Sequence, residues 1–597
     1  MSETESGTPE AVQFSLEARS PPASRPFMAD TTRPARSSDA LLRLTQAADA
    51  LQSDVRTAEL HDAIRLLQQG DPQAADEIAH RIVQQDENLV LAWRVMATAR
   101  EQLGDFSTAF FCAEQVFRRA PETPGLFNDL GRLAYHLKQF EQAEQLFLLH
   151  VQKNPGDMDG INNLACALRD LHRYDDAQAL LKAALEQAPQ TALLWNNLAT
   201  LMIARGDAPN ALIFFDEAIR VDPGFAKAYY NRANLKGLLG DADGALHDGE
   251  TACTLSRIPT DQAMMRMAVG LTKMSMGRIV EGLADYEARL DPHFDDATLY
   301  PYTQPTLTLE TQLQGKRLLL LGEQGLGDEV MFASTVPDLL DDIGLQGKLY
   351  LAVEQRLQSL YQRSFPTAEV GPYATGKWGH QSVRIAPWLQ SRLEEIDYWA
   401  PMGAAVRRYR QRIDDFPTRR HFLTADPDKV SKWRQVLAEL GPKPKIGVLW
   451  KSLFVDPARS RQFTSFAAWA PVLGMAEVTL VNLQYGDCRQ ELAAAREAGF
   501  DLWTPPGIDL KDDLDDLAAL CVALDLVVGP ANATTNIAAA CGGEVSLVAI
   551  PGAWTQLGTA GWPWYPQLRV MPGGRFGDWS AAMAGLRDDI RARFKLG

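Results

Sequence analysis

From residue 90 to residue 250 the large apolar, small apolar and chain-breaking positions recur with one period. Trp93, Phe127, Ile161, Trp195 and Tyr229 stand 34 residues apart. Ala109, Ala143, Ala177, Ala211 and Ala245 keep the same spacing at a second phase, and Pro121, Pro155, Pro189 and Pro223 at a third. The pattern predicts stacked pairs of helices. A large side chain early in the first helix packs near an alanine in the second, where nothing bigger would let the helices approach, and proline ends the pair. The stretch WNNLATLMIARGDAPNALIFFDEAIRVDP, 195 to 223, shows one unit whole.

Five consecutive units of this kind are identified as a tetratricopeptide (TPR) array. Weaker units flank them, marked by Gly70 and Ala75 on one side and by MGRIVEGLADYEARL on the other, as capping repeats require. An all-α TPR solenoid is therefore expected over 55–290. Its register stacks Asp129, Asn163, Asn197 and Asn231, two residues after the large position. A column of asparagines facing the concave groove holds the backbone of an extended polypeptide, since each amide offers acceptor and donors. The competing reading is that the same amides satisfy polar groups between neighbouring helices. Asn163, Asn197 and Asn231 are thus candidate acceptor-protein-binding residues, and the array implies a protein partner.

From Gly315 onward the period is gone and short branched runs alternate with helical stretches. The runs are RLLLL (317–321), LYLAV (349–353), IGVLW (446–450), VTLVNL (478–483), LDLVV (524–528), VSLVAI (545–550) and LRVM (568–571). Such alternation predicts parallel sheets covered on both faces. The charged, proline-bearing stretch 419–445 separates two of them. The expected architecture is multidomain: the solenoid, a linker over 291–315, and two Rossmann-like halves over 316–427 and 428–597 with a cleft between them.

Composition narrows the function. The net charge of −17 over 597 residues argues against a broad nucleic-acid surface. Six scattered cysteines without a C-x-x-C pair suggest neither zinc nor disulfides, and no metal site is expected. No apolar stretch has the length of a signal peptide or a membrane span, which places the protein in the cytoplasm by expectation. Residues 1–54, rich in Ser, Thr, Pro and mixed charge, read as a disordered tail and a first helix.

Two strand ends carry candidate chemistry. The first is GEQGLGDEVMFAS, 322–334. Gly322 and Gly327 have the spacing of a nucleotide-binding P-loop, but Asp328 and Glu329 stand where that loop needs Lys and Ser or Thr, and two carboxylates there would repel a triphosphate. The second is GPANATTNIAAACGG, 529–543. Asn532, Thr534, Thr535 and Asn536 surround a helix start, which suits a substrate phosphate; plain N-capping uses the same residue types. Gly542 and Gly543 end that helix.

A TPR array followed by GEQGLGD, IGVLW, LDDLAALCVALDLVVG and WPWYP resembles the bacterial TPR-fused protein glycosyltransferases, whose catalytic half is related to heptosyltransferases and has the GT-B fold. The resemblance covers about 55–597 and extends to the members that modify flagellin. It implies an inverting, metal-independent transfer of a pseudaminic-type nonulosonic acid from a CMP-sugar to flagellin Ser or Thr hydroxyls. It further implies that the TPR half binds flagellin, that flagellum assembly and motility depend on the reaction, and that no cofactor is needed. Gly327-Asp328 matches the family's Gly-Asp, which makes Asp328 the candidate base, with Gly325 and Gly327 letting substrate come close. A helix N-terminus lowers a carboxylate's pKa, so capping is the alternative role for Asp328. Ala531 to Asn536 replace the family's Asp-Thr-Ser-x-x-His, which disfavours an ADP-heptose donor. Lys451, with Arg459 and Arg461 beyond it, is a candidate partner for the donor's anions, and Gln484 with Tyr485 for the nucleotide base. Two other functions fit the same layout: an O-GlcNAc-type transferase using a UDP-sugar, and an inactive TPR adaptor or chaperone.

Overall fold

The computed structural model describes residues 38–49, 55–294, 296–378, 381–452, 464–573 and 578–596. They form two compact units, one closing at Ala268 and the other beginning at Val269.

The first unit is all helix: α1 (Ser38–Asp49), α2 (Val55–Gln69), α3 (Pro72–Gln85), α4 (Val90–Gln102), α5 (Phe106–Arg119), α6 (Leu126–His136), α7 (Phe140–Lys153), α8 (Met158–Asp170), α9 (Tyr174–Gln187), α10 (Ala192–Arg205), α11 (Ala208–Val221), α12 (Ala226–Leu238) and α13 (Ala242–Leu255). From α2 onward they pair as the period predicts. Ala109, Ala143, Ala177 and Ala211 have no exposed surface, as expected of small residues at a close helix packing. The tryptophans also tie the turns: Trp93 Nε1 donates to Glu87 O at 2.8 Å, and Trp195 Nε1 to Pro189 O at 2.9 Å.

Within a pair the chain turns at a left-handed residue followed by a cap. Gly70, Gly104, Gly206 and Gly240 have φ between +74° and +84°. Asp71, Asp105, Asp207 and Asp241 follow them and accept the N–H groups of Ala74, Thr108, Asn210 and Gly244. In the two middle units the same corner is made by Lys138 (φ 62°) and His172 (φ 59°).

The second unit holds thirteen described strands: β1 (Thr298–Leu299), β2 (Arg317–Leu321), β3 (Lys348–Val353), β4 (Glu369–Pro372), β5 (Ala374–Trp378), β6 (Gln381–Ile385), β7 (Tyr398–Pro401), β8 (Lys445–Val448), β9 (Thr479–Asn482), β10 (Leu502–Trp503), β11 (Leu526–Pro530), β12 (Val545–Ala549) and β13 (Arg569–Pro572). One sheet has the order β4-β3-β2-β7 and another β10-β9-β8-β11-β12-β13, and each is parallel throughout. An all-α TPR solenoid is thus followed by an α/β region built on two parallel sheets. The seven apolar runs of the sequence are β2, β3, β8, β9, β11, β12 and β13. The edge strands β4 and β7 and the two-residue β10 lack a comparable run, because an edge strand need bury only part of its surface.

The stretch 291–315 is built into the first half rather than spanning space as a linker. β1 pairs with β6, Thr306 bridges Trp399, and Tyr300 and Tyr302 pack on the Trp399 ring. Among the described residues no helix is long and apolar enough to cross a membrane, and all six cysteines are free thiols.

A left-handed conformation is strained for any residue with a Cβ. Lys138→Gly should therefore stabilise the array by about 1 kcal/mol, offset in part by the entropy glycine gains on unfolding. Hydrogen exchange of α6 and α7 in the full chain measures the gain; slower exchange is expected.

Candidate functional site

The loop after β2 leads into α14 (Leu326–Phe332). It passes through Gln324, whose φ of +58° marks local strain. Gly325 stands at the N-cap, and its N–H donates to Asp328 Oδ2 at 3.4 Å, so the Asp328 carboxylate closes the first turn of its own helix. The neighbouring Gly327 lies against a second helix start. A Cβ there would be 3.0 Å from Asn536 Nδ2 and 3.4 Å from the Ala533 nitrogen. Asn536 and Ala533 belong to α16 (Ala533–Ala540), which follows β11 in the other sheet; α15 (Arg489–Glu497) precedes it in the chain. The structure thus brings together the two strand ends that the sequence singles out.

The capping reading accounts for half of the α16 start. Asn532 Oδ1 accepts Thr535 N–H at 3.2 Å, while Thr535 Oγ1 accepts Asn532 N–H at 3.0 Å and donates to Pro530 O at 3.1 Å. Thr534 and Thr535 are each 1% exposed. Asn536 instead faces the first half across Gly327, and the Asn532 side-chain nitrogen is a buried donor without a partner. Gly542 ends the helix with φ +89°.

Two other expected donor-binding residues are committed within the protein. Gln484 Oε1 accepts the N–H groups of Trp450 (3.0 Å) and Lys451 (2.9 Å), and its Nε2 donates to the carbonyls of Lys451 (3.1 Å) and Tyr485 (3.0 Å). All its polar capacity ties the end of β8 to that of β9, so Gln484 is corrected from base reader to strand tie. Lys451 Nζ is ion-paired with Glu491 on α15 and donates to Asp487 O at 3.2 Å. Arg459 and Arg461 lie outside the described residues.

Sequence reasoning passed over the supports beneath the first loop. Glu323 is 2% exposed and takes Arg289 in a two-pronged pair, Nε to Oε2 at 2.8 Å and Nη2 to Oε1 at 3.1 Å, while accepting the Gly403 N–H. Glu329, equally buried, accepts Glu354 N–H at 2.8 Å and the Tyr373 hydroxyl at 3.2 Å. Burial pushes the Glu329 carboxyl up to about 7, against the opposing pull of the Glu354 N–H and Arg384. Arg384 lies 4.1 Å from the Tyr373 ring centre and donates to the Gly322 carbonyl. A side chain at Gly322 would strike the Glu329 carboxylate. The available signal was a pair of glutamates flanking a glycine-rich turn directly after a strand of four consecutive leucines.

In the first unit the asparagine column requires a correction. Asn163, Asn197 and Asn231 are 3%, 5% and 6% exposed. Asn163 Nδ2 donates to Asn128 Oδ1 at 2.9 Å, Asn231 Nδ2 to Asn196 Oδ1 at 2.9 Å, and Asn197 Nδ2 to Asn162 Oδ1. Each amide is held by the preceding repeat rather than presented to a groove, because a buried amide left unpaired costs about 1–3 kcal/mol. The second column, Asn128, Asn162 and Asn196, has the same period and was legible beside the first. Among the described residues no group of three or more His, Cys, Asp or Glu is arranged to hold a metal.

Residues 94–157 and 162–226 match the tetratricopeptide repeat family. Protein FlbA of Caulobacter vibrioides is 42% identical over 566 residues, covering 94% of each chain. Tetratricopeptide repeat protein 36 of Danio rerio is 44% identical over 137 residues, which is 23% of this chain and 65% of that one. Among solved structures, YrrB, described as a TPR protein with an unusual peptide-binding site, is 20% identical, covering 33% of this chain and 99% of its own, with a TM-score of 0.26.

The raised Glu329 carboxyl gives a signed pH dependence. A group whose folded pKa exceeds its ordinary value of 4.5 contributes its full stabilisation below 4.5 and loses it as pH rises to about 7. Glu329→Gln, always neutral, is free of that loss. Between pH 4.5 and 7 the parent chain should lose up to about 3 kcal/mol relative to the variant, read from urea midpoints at both pH values.

Proposed function

The chain belongs to the family of Protein FlbA from Caulobacter vibrioides, and from that premise we propose that it is a flagellum-related protein O-glycosyltransferase. In this reading it acts in the cytoplasm, the TPR unit binds flagellin, and the α/β unit transfers a pseudaminic-type nonulosonic acid from its CMP-sugar. The observation that carries the reading is the meeting of the Gly327-Asp328 corner with the start of α16, at the carboxyl ends of β2 and β11. Ligands of parallel sheets bind at such strand ends.

The chemistry follows from the groups assembled there. A Ser or Thr hydroxyl of the acceptor attacks the anomeric carbon, its proton passes to the Asp328 carboxylate, and the CMP leaving group departs with its phosphate charge. The N-terminus of α16 and the unpartnered Asn532 amide stabilise that charge. Gly325 and Gly327 keep the corner free of side chains that would block the acceptor. Lys451 reaches the donor only by leaving Glu491. That pairing, together with the full commitment of Gln484, is the specific support for the second reading, an inactive TPR adaptor.

Intact-mass measurement of flagellin incubated with the full chain and CMP-pseudaminic acid separates the two. Mass added in steps of one nonulosonate is expected, and Asp328→Asn should slow that addition by about 100-fold or more. Flagellin that binds the chain yet never gains mass establishes the adaptor and overturns the transferase.

A further inference from the structure

The stretch MGRIVEGLADYEARL, expected to close the array, lies wholly within the second unit, which begins at Val269. It forms the helix Ile279–Tyr286 and the short turn Glu287–Leu290, after the helix Pro259–Ser275. The two helices cross at glycines. A Cβ on Gly270 would be 2.8 Å from the Gly282 carbonyl oxygen, and one on Gly282 2.7 Å from that of Gly270. Lys273 Nζ pairs with Asp285 at 2.8 Å beside the same crossing. The end of this hairpin meets the candidate site twice.

The first contact lies at the start of the site loop. Arg289, 2% exposed, makes four hydrogen bonds: the two on Glu323, one to the Tyr286 carbonyl at 3.2 Å and one to Glu287 at 2.7 Å. Its guanidinium also lies 4.5 Å from the Tyr286 ring centre. Glu323 is the residue before Gln324, and it takes the Gly403 N–H at the start of the helix Met402–Tyr409. A Cβ on Gly403 would be 2.5 Å from Glu323 Oε1 and 2.6 Å from Arg289 Nη2, so three segments close on this pair. The second contact leads to the far end of α14. The Tyr286 ring stacks on Trp554 at 6.3 Å, Trp554 meets Trp564 edge-on at 6.3 Å, and Trp564 lies 6.0 Å from Phe332, the last residue of α14. The turn at Gly277 touches the same segment, since a Cβ on Gly558 would be 2.7 Å from the Gly277 nitrogen.

We propose that Arg289 is a positioning residue of the candidate site, and that the hairpin carrying it braces α14 at both ends, through Glu323 on one side and through Trp554 and Trp564 on the other. The left-handed Gln324 backbone persists only where its surroundings fix it. The buried fork fixes the residue before it, and the Phe332 contact fixes the helix whose first turn carries Asp328. A lysine at 289 keeps the charge and loses the fork, so it cannot hold both Glu323 oxygens and the Tyr286 carbonyl together. For the transfer step the assignment rests on the glycosyltransferase reading: a displaced Asp328 slows proton removal from the acceptor and leaves donor binding as it was.

Hydrogen exchange of the full chain tests the brace without any substrate. In Arg289→Lys the segment 322–332 should exchange at least about tenfold faster, with β2 and β3 unchanged. Trp554→Leu, which leaves Arg289 in place, should speed the same segment while β11 and β12 keep their protection. Unchanged exchange of 322–332 in either variant, or a loss of protection spread equally over the neighbouring strands, overturns the proposal. Transfer to flagellin then reads the chemistry. Arg289→Lys should lower kcat by about tenfold or more and leave the KM for the CMP-sugar within about twofold. A raised KM with kcat unchanged overturns the positioning of Asp328. A parent chain that transfers nothing overturns the glycosyltransferase reading alone, and the exchange result still decides the brace.

Discussion

A buried polar group is costly unless it finds a partner inside the protein, and that cost organises both units. In the array it turns two columns of asparagine into a ladder between repeats, and it locks Arg132 to Glu101. In the α/β unit it sets Arg289 against Glu323, spends the whole Gln484 amide between β8 and β9, and closes Asn532 with Thr535. Each of these groups would cost more unpaired than a typical surface contact contributes.

The same requirement shapes the loop at the candidate site. Glu323 and Glu329 anchor it from below through Arg289, Tyr373 and the Glu354 N–H, and Arg384 holds the Gly322 carbonyl. With both ends fixed, the strained Gln324 backbone is tolerated and the Gly327-Asp328 corner is held against α16. Small residues are needed at Gly322, Gly327 and Gly403 because charged or polar side chains of other segments occupy the space a Cβ would enter. The corner is thus held by buried groups drawn from several separate segments of the chain.

Much of the architecture could be read along the chain. The array followed from three phases of one 34-residue period, and seven strands from their apolar runs, since both are local periodicities that burial imposes directly. The Gly-Asp corners at 70–71, 104–105, 206–207 and 240–241 and the second asparagine column obeyed the same period but were passed over. The edge strands β4, β7 and β10 and the hairpin β5–β6 were not legible, because short or half-buried strands leave too short a pattern.

The sequence by itself determined which segments are helix pairs and which are parallel strands, and it located two glycine-bearing strand ends with chemistry to offer. Only the tertiary structure decided what those side chains face. Asn163 and Gln484 have the donors and acceptors of ligand-binding residues, yet the Asn163 amide donates to a residue 35 positions away and the Gln484 amide is taken up by residues 33–34 positions away and by Tyr485. The Gly327 and Asn536 approach joins residues more than two hundred positions apart, and Arg289 reaches Glu323 from a turn before the first sheet. Hydrogen-bond capacity is a property of the residue, whereas its satisfaction depends on neighbours that folding alone supplies.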